Sequence, residues 1–153
     1  MPHPQPLAFH PVTASDLPDL ESWFADADLA RRLEAPTPDW LAHVSGGTEA
    51  AAWVVRPVGG GPALALMQAD RDGPGRAVIA IAVRRECRHA GLGRRVLDTF
   101  ADGPGSAHAV LVATVEPDNL AALRCLQHAG FRPAGQDDDG FLVLERHRER
   151  VCL

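Results

Sequence analysis

The sequence predicts one mixed α/β domain spanning residues 1–153, and three observations lead to this fold class. The chain has 153 residues, 46% hydrophobic and 23% charged, which is the size and composition of a single globular core. The apolar runs 77–83 and 109–115 lack polar alternation, as expected for strands buried on both faces. A segment with helical apolar spacing follows each run. This strand–helix–strand–helix order over residues 77–129 predicts a parallel strand pair that carries the ligand-binding part of the domain.

The N-terminal half predicts short helices between strands, because apolar runs alternate there with capping, proline and glycine residues. Ser15 and Asp16 have side chains that accept hydrogen bonds from the first N–H groups of a helix, so a helix is expected to begin there. Pro36 and Pro38 separate two further helical segments. The predicted elements are an edge strand at 7–12, helices from 16, at 28–33 and at 39–44, and strands at 50–58 and 63–69.

The C-terminal half predicts two amphipathic helices and a final pair of strands. The first helix is expected to end at Gly103 and Pro104. Asp118 or Asn119 is the expected cap of the second helix, which should end at Gly130. The predicted elements are a helix carrying Leu92, Val96, Leu97 and Phe100 on one face, a strand at 109–115, a helix carrying Leu120, Leu123 and Leu126, and two strands within 131–146 joined by a polar turn at 137–140.

Charge and composition exclude several classes of protein. Fifteen basic against twenty acidic side chains give a net charge of -5, which argues against an electrostatic nucleic-acid binder, because such binding needs a basic face. No apolar run approaches the ~20 residues that span a bilayer, so no membrane segment is expected. All basic side chains are arginine, which excludes Schiff-base chemistry on lysine. Cys87, Cys125 and Cys152 lie far apart and predict reduced thiols in a cytoplasmic protein, and the histidines show no metal-ligand spacing.

The most informative motif is Arg88-x-x-Gly91-x-Gly93, which lies between a buried strand and a helix. The first N–H groups of a helix have no internal partner, and the helix dipole adds about half a positive charge there. Small residues let this backbone approach an anion closely. The motif therefore predicts a pyrophosphate-binding turn, with a plain tight turn carrying solvated arginines as the alternative. It is neither a P-loop, which needs Gly-Lys-Ser/Thr, nor a dinucleotide fingerprint, which needs a third glycine.

Three segments of the chain together resemble sequence motifs of the Gcn5-related N-acetyltransferase (GNAT) superfamily. Segment 88–93 is similar to its acyl-CoA-binding signature, and segment 119–131, Asn-x-x-Ala closing on Gly-Phe, is similar to the helix that follows. Segment 12–23 resembles the family's first strand and helix. Segment 119–131 is also similar to the corresponding part of aminoglycoside 6'-N-acetyltransferases. The resemblance implies a GNAT-like fold, with a central mixed, mostly antiparallel sheet, splayed parallel central strands and flanking helices.

The resemblance also implies acetyl-CoA as the acyl-donor cosubstrate, without a metal, and assigns residues to it. Backbone groups from Ile81 to Val83 would pair with the pantetheine arm, and Asn119 would hydrogen-bond it. The Val83 N–H would polarise the acetyl carbonyl and stabilise the oxyanion of the tetrahedral intermediate. Arg88 or Arg94 would lie near the phosphates. The residues implied for the pyrophosphate turn are Arg88, His89, Ala90, Gly91, Leu92, Gly93 and Arg94.

The chain departs from the family at its acid and base positions. The usual tyrosine, the general acid for the leaving thiolate, is replaced by Leu126, and the chain has no tyrosine. The usual glutamate positions are occupied by Ala77 and Thr114. At pH 7 an unassisted alkylamine of pKa ~10 costs about 4 kcal/mol to deprotonate. Catalysis therefore needs a water relay, another carboxylate or an amine of lower pKa.

Two carboxylates are candidates for the missing base. Glu116 precedes a proline at the end of a strand near the implied acetyl site, and its alternative role is that of a loop surface residue. Asp70 ends the strand before the buried one, and its alternative role is to form a turn.

The loss of the tyrosine alone is tolerable, because thiol pKa values lie near 8.5 and a CoA thiolate can leave unprotonated. Cys125 is expected to be a small buried hydrophobe rather than a nucleophile.

Two functions of different classes follow. The first is an acetyl-CoA-dependent N-acetyltransferase that acts on a primary amine by direct attack in a ternary complex, with small-molecule amines favoured over protein N-termini. The second is a non-catalytic acyl-CoA-binding or regulatory domain, favoured by Ala77, Thr114 and Leu126. Proximity and orientation alone supply ~7–11 kcal/mol of barrier reduction, which favours the enzyme. The expected partners are acetyl-CoA and an amine acceptor, with neither nucleic acid nor membrane, and a homodimer is a further expectation from the family.

Overall fold

The computed structural model describes residues 5–88 and 90–148, and its strands form one seven-stranded sheet. The strands are β1 (Leu7–Pro11), β2 (Ala50–Pro57), β3 (Ala65–Arg71), β4 (Arg76–Val83), β5 (Val110–Val115), β6 (Arg132–Gln136) and β7 (Leu142–His147). The helices are α1 (Leu17–Trp23), α2 (Ala27–Arg32), α3 (Pro38–Ser45), α4 (Leu92–Asp102) and α5 (Leu120–His128). Short 3₁₀ turns lie at Ala14–Asp16, Arg85–Cys87 and Pro104–Ala107.

Every predicted strand and helix is present, and the differences lie at the ends. Strand β3 begins and ends two residues later than predicted, because its pairing with β4 continues to Arg71. Asp70 therefore lies inside a strand rather than at a turn. The predicted cap at Ser15 is wrong, since Thr13 is the N-cap of the 3₁₀ turn and its N–H donates to Asp16 Oδ2 at 2.8 Å. Asp16 then occupies the N-cap position of α1.

The strand order is β1-β2-β3-β4-β5-β7-β6, and one neighbouring pair, β4 with β5, is parallel. The other neighbouring strands pair antiparallel. A parallel pair needs a crossover connection, which α4 supplies between β4 and β5. The predicted parallel pair and the mostly antiparallel central sheet are both confirmed.

The sheet separates two hydrophobic layers, because successive side chains of a strand point to opposite faces. On one face, Leu97 and Phe100 of α4 pack with Leu126 of α5 against the central strands. On the other face, Leu20 of α1 and Trp40 of α3 belong to the cluster that covers β2. The N-terminal helices and the two later helices thus lie on opposite sides of the sheet.

Helix α4 is the longest helix of the described residues, with 11 residues, and its apolar face is buried as predicted. It ends at Gly103, whose N–H donates to the carbonyl oxygens of Thr99 and Phe100. Across residues 5–88 and 90–148, no helix is long and apolar enough to cross a membrane.

Replacing Phe100 by alanine is expected to lower the free energy of unfolding by about 3–5 kcal/mol, because the buried ring would leave a cavity. The ring is fully buried, with its centroid 5.9 Å from that of Phe9 and 5.4 Å from that of Trp53. Val58→Ala is the control, since Val58 is 61% exposed and its truncation should change stability by only about 0.5 kcal/mol. Urea unfolding measures both variants, and equal losses would contradict this account of the core.

Candidate active site

Strands β4 and β5 pair over only three residues and then separate. Residues 76–78 face 110–112, and the pairing ends at Val78 and Val112. Strand β4 meanwhile stays paired with β3 up to Val83. From 79 to 83, the edge of β4 that faces β5 has no strand partner among the described residues, and a cleft of about 780 Å³ opens there. Such an edge can accept an extended ligand in the way that it would accept an added strand.

Two backbone N–H groups, those of Ile81 and Val83, point into this opening. The N–H of the next residue, Arg84, donates to the Leu64 carbonyl on the β3 side at 2.9 Å. Successive N–H groups along a strand point to opposite edges, so Val83 and Ile81 present theirs to the β5 side. The Val83 carbonyl, on the same edge, accepts a hydrogen bond from Arg88 Nε at 3.0 Å. The edge therefore offers a ligand two donors.

Helix α4 begins at the same cleft. Its N-cap is Gly91, whose φ of +74° is a left-handed conformation that glycine adopts without steric cost. The Arg95 N–H donates to Gly91 O and makes the first hydrogen bond of the helix. The N–H groups of Leu92, Gly93 and Arg94 therefore have no acceptor within the helix. These three residues line the cleft. Free N–H groups and the positive end of the helix dipole make this turn suited to an anion.

Gly93 is required by the close approach of α4 to α5. A Cβ at Gly93 would lie 2.8 Å from Cys125 Sγ, closer than such atoms normally approach. Burial raises the pKa of the Cys125 thiol, with Asp98 adding to the effect, so the thiol stays protonated at neutral pH. A protonated, half-buried thiol agrees with the expected packing role of Cys125.

The two arginines predicted near the phosphates differ in their surroundings. The Arg88 guanidinium lies 2.6 Å from Asp26 Oδ2, and this hydrogen bond lowers the pKa of the Asp26 carboxyl. Together with the bond to Val83 O, this contact ties the loop before α2 to the end of β4. Arg94 has a 59% exposed side chain whose Nε is 3.7 Å from Asp98 Oδ2, so it is the freer of the two to reach an anion.

Asn119 and Glu116 lie on the opposite wall of the cleft, between β5 and α5. The Asn119 side chain is the N-cap of α5, since its Oδ1 accepts from the Ala122 N–H at 3.3 Å. This decides between the two predicted caps in favour of Asn119. The cap uses only the oxygen of the amide. The NH₂ group of Asn119 has no hydrogen-bond partner among the described residues. Glu116 is 27% exposed and its Oε2 lies 3.4 Å from Arg32 Nη1.

Sequence reasoning missed Arg32 and Asp26, which hold the N-terminal helices against the cleft. Arg32 contacts Asp28 on its own helix at 3.1 Å, and Asp118 near the opposite wall at 3.4 Å. The spacing of Asp28 and Arg32 indicates only a helical i,i+4 pair. The contact with Asp118 joins residues 86 positions apart, and no local pattern signals it.

Two of the family's three acid and base positions, those of Ala77 and Leu126, are apolar in their surroundings as well as in their side chains. Ala77 is fully buried and Leu126 is 5% exposed, and both belong to the core beneath α4. Thr114 is exposed and lines the cleft. Neither of the two buried positions offers a group that moves a proton.

Most of the predicted site residues share the cleft, although they come from four parts of the chain. Those that line it are Ile81, Val83, Arg88, Gly91, Leu92, Gly93, Arg94, Glu116 and Asn119. Ala90 belongs to the turn but not to the cleft lining, whereas His89 and Cys152 lie outside the described residues.

A second cleft of about 1010 Å³, between α4, α5 and β6–β7, contains none of the predicted residues. Within the described residues, no cluster of His, Cys, Asp or Glu has the arrangement of a metal site.

A family model described as Acetyltransferase (GNAT) family matches residues 10–131, a span that includes the separating strands, the glycine turn and α5. The chain belongs to the GNAT acetyltransferase family. This confirms the resemblance drawn from the motifs, and the separated central strands agree with the fold expected of a GNAT acetyltransferase.

Related proteins support the same assignment. The uncharacterized N-acetyltransferase YfmK of Bacillus subtilis is 29% identical over 141 residues, covering 89% of this chain and 93% of that protein. The aminoglycoside acetyltransferase AAC(6')-Ib, solved with coenzyme A and kanamycin, has a TM-score of 0.78 at 18% identity, covering 93% of this chain and 95% of that one. The GNAT domain of S. lividans PAT has a TM-score of 0.74 at 20% identity, with 92% and 89% covered. At these identities the two structures show that this GNAT protein shares their fold.

Gly93→Ala is expected to destabilise the protein by about 1 kcal/mol, because the added methyl group would press on Cys125 Sγ at the α4–α5 contact. The double variant Gly93→Ala/Cys125→Ala removes that sulfur, so the glycine substitution should cost less in the Cys125→Ala background. Denaturant unfolding of the four proteins gives the coupling between the two positions. Additive effects would show that the close approach does not constrain Gly93.

Proposed function

We propose that this GNAT protein transfers the acetyl group of acetyl-CoA to a primary amine of a small molecule, by direct attack in a ternary complex. The observation that carries the proposal is that the unpaired edge of β4 and the N-terminus of α4 line one and the same cleft. An extended, hydrogen-bonding arm ending in an anionic group has the chemistry that such an edge and turn would bind. Pantetheine joined to a pyrophosphate is a ligand of that kind.

The residues present fit acetyl-CoA along the length of the cleft. The N–H groups of Leu92, Gly93 and Arg94 would hold the pyrophosphate, with the exposed Arg94 side chain adding a full positive charge. The open edge from Ile81 to Val83 would pair with the amide groups of the pantetheine arm. The NH₂ group of Asn119, which its capping bond leaves unused, would donate to the arm from the opposite wall.

The transfer step itself needs a donor for the developing oxyanion and a group that takes the proton of the amine. The Val83 N–H is the proposed donor, because it is fixed in the opening by the strand and needs no reorganisation during the reaction. Glu116 is the proposed base. It lines the same cleft, and its contact with Arg32 holds it beside the mouth of the opening. A base of this kind contributes about 10²–10⁴-fold to the rate.

A small amine is favoured as acceptor over a protein N-terminus by analogy with neighbours of the same fold. The structure of the aminoglycoside acetyltransferase AAC(6')-Ib contains both coenzyme A and kanamycin. The net charge of -5 is compatible with a cationic acceptor. A homodimer, a cytoplasmic location and the lack of nucleic-acid or membrane partners stay predictions of the sequence.

The burial of Ala77 and Leu126 favours a second function, a non-catalytic acyl-CoA-binding domain. These two positions carry a proton-transfer group in many family members, and here both are packed in the core. Cofactor binding is common to both functions, whereas acetyl transfer belongs to the first alone.

Acetyl-CoA is expected to raise the melting temperature of the wild-type protein, while AMP and GTP leave it unchanged. At 100 times its Kd, a ligand of the native state adds ~2.7 kcal/mol. For a chain of this size that corresponds to roughly 5–11 °C, at ~2–4 °C per kcal/mol.

Gly91→Glu should abolish the shift by placing a carboxylate in the anion site. Gly91→Ala is its control, since both variants carry the same strain of ~1–2 kcal/mol at a positive φ but alanine adds no charge. A full shift in Gly91→Glu would contradict the anion site.

Glu116→Gln is expected to lower kcat about 10²-fold or more while leaving the acetyl-CoA shift intact. Asp118→Asn is the matched control, because Asp118 also contacts Arg32 but has no proposed role in proton transfer. Thiol release from acetyl-CoA, measured with kanamycin and simple primary amines as acceptors, reports the rate. Wild-type turnover in Glu116→Gln would exclude this base. A wild-type protein that binds acetyl-CoA and acetylates none of these amines would favour the non-catalytic function.

A further inference from the structure

A chain of hydrogen bonds runs from the core beneath α3 to Asp70, a residue that the transfer step does not use. The buried Trp40 Nε1 donates to Gln68 Oε1 at 2.8 Å, and Gln68 Nε2 donates to Asp70 Oδ2 at 2.8 Å. His43 Nε2 lies 2.8 Å from Asp70 Oδ1. Because an indole N–H only donates, Trp40 fixes the orientation of the Gln68 amide, and Gln68 in turn must donate to Asp70. The carboxylate is therefore held in one position.

Asp70 lies in the cleft at the level where β4 and β5 begin to separate. It is paired across β3 and β4 with Val78, the last residue of β4 that pairs with β5. Gln68 is likewise opposite Ala80. Directly opposite residues of an antiparallel pair share a face, so Asp70 stands next to small side chains that leave room in front of it. Its side chain is 40% exposed.

Asp70 also differs from the other carboxylates of the cleft in its ionisable partner. Within the described residues, the carboxylates that line it are those of Asp28, Asp70 and Glu116. Asp28 and Glu116 both contact the Arg32 guanidinium. The ionisable partner of Asp70 is the imidazole of His43, and within the described residues no arginine forms an ion pair with its carboxylate. A carboxylate has about four acceptor positions, and the bonds to Gln68 and His43 use two of them. Asp70 thus has unused hydrogen-bonding capacity that faces the cleft without a guanidinium partner among the described residues.

The distance from Asp70 to the transfer site excludes it as the base and indicates another role. Val83 is five residues beyond Val78 along β4, or about 16 Å at ~3.3 Å per residue. Ile81, whose N–H shares that edge, is three residues beyond Val78, or about 10 Å on the same rise. Direct proton transfer needs hydrogen-bond contact or a single intervening water. Asp70 is therefore placed to hold a part of the acceptor that does not react.

We propose that Asp70 binds a second cationic group of the acceptor, so that the preferred acceptors are extended molecules with two amines about 10–16 Å apart. This inference rests on the proposed function, since it needs the reacting amine to lie at Val83. One ammonium group donates to Asp70 in the fixed position set by Gln68 and His43. The other amine then lies beside the opening between β4 and β5, where Glu116 is the proposed base. Asp70 is a specificity-determining residue in this arrangement.

The test is the binding of matched amines to the protein saturated with coenzyme A, measured by titration calorimetry. The probes are α,ω-diaminooctane, in which the two ammonium groups are far apart, and ω-amino-octanol, in which a hydroxyl replaces one of them at the same length. The wild-type protein should bind the diamine tighter by up to about fivefold, the gain of one partly exposed ion pair. Asp70→Asn should bind the two probes equally. Asp102→Asn is the control, because Asp102 is an exposed carboxylate that lies in the second cleft.

Retention of the preference in Asp70→Asn would overturn the proposal, as would a wild-type protein that binds the two probes equally or binds neither. The coenzyme A thermal shift, measured on the same samples, separates this failure from failure of the proposed function. A normal shift in Asp70→Asn shows that the variant is folded and that its cofactor site is intact. The absence of any shift in the wild-type protein would overturn both proposals, whereas a normal shift with no diamine preference overturns only the role of Asp70.

Discussion

The rest of the structure depends on the unpaired edge of β4. Strands β4 and β5 part after Val78 and Val112, so the backbone groups from 79 to 83 lie without a strand partner on one side. Buried N–H and C=O groups are almost always paired, and an edge of this kind is stable only where solvent or a ligand can reach it. The cleft keeps the edge accessible. Since the parallel pair also needs a crossover, α4 begins at the end of that edge and brings its free N–H groups to the same place.

Arginine side chains hold the N-terminal helices over this opening. Arg84 contacts Asp19 at 2.6 Å and Arg88 contacts Asp26 at 2.6 Å, so the end of β4 is tied to α1 and to the loop before α2. Arg32 extends the same pattern from α2 to the wall beyond β5. Partly exposed ion pairs contribute little to stability singly, so the consequence of these contacts is positional. They set the distance between the two walls, and the planar, multidentate guanidinium group suits them better than lysine would.

The carboxylates of the cleft do not lie at the positions where the family usually has its acid and base. Ala77 and Leu126 face the core beneath α4, where an ionisable group would lose its hydration. The carboxylates that face the cleft come instead from β3, from α2 and from the loop after β5. Of these, Glu116 lines the cleft together with the open edge and is proposed to act on the reacting amine. Asp70 is held by Gln68 and His43 at the far end and is proposed to act on the rest of the acceptor.

The sequence by itself determined the elements of the fold and predicted the cofactor half of the site, because both depend on local patterns. Uniform apolar runs marked the two central strands, and helical spacing marked α4 and α5. The turn at 88–93, which follows a strand, combined two glycines and a helix start within six positions. The tertiary structure alone decided where β4 and β5 separate, since a register between strands that are distant in the chain leaves no trace in either strand. It also decided the long-range partners of Arg32, Arg88 and Asp70, namely Asp118, Asp26 and His43. Those contacts join residues 27 to 86 positions apart, and a charged side chain in a sequence does not record which distant surface the fold will bring against it.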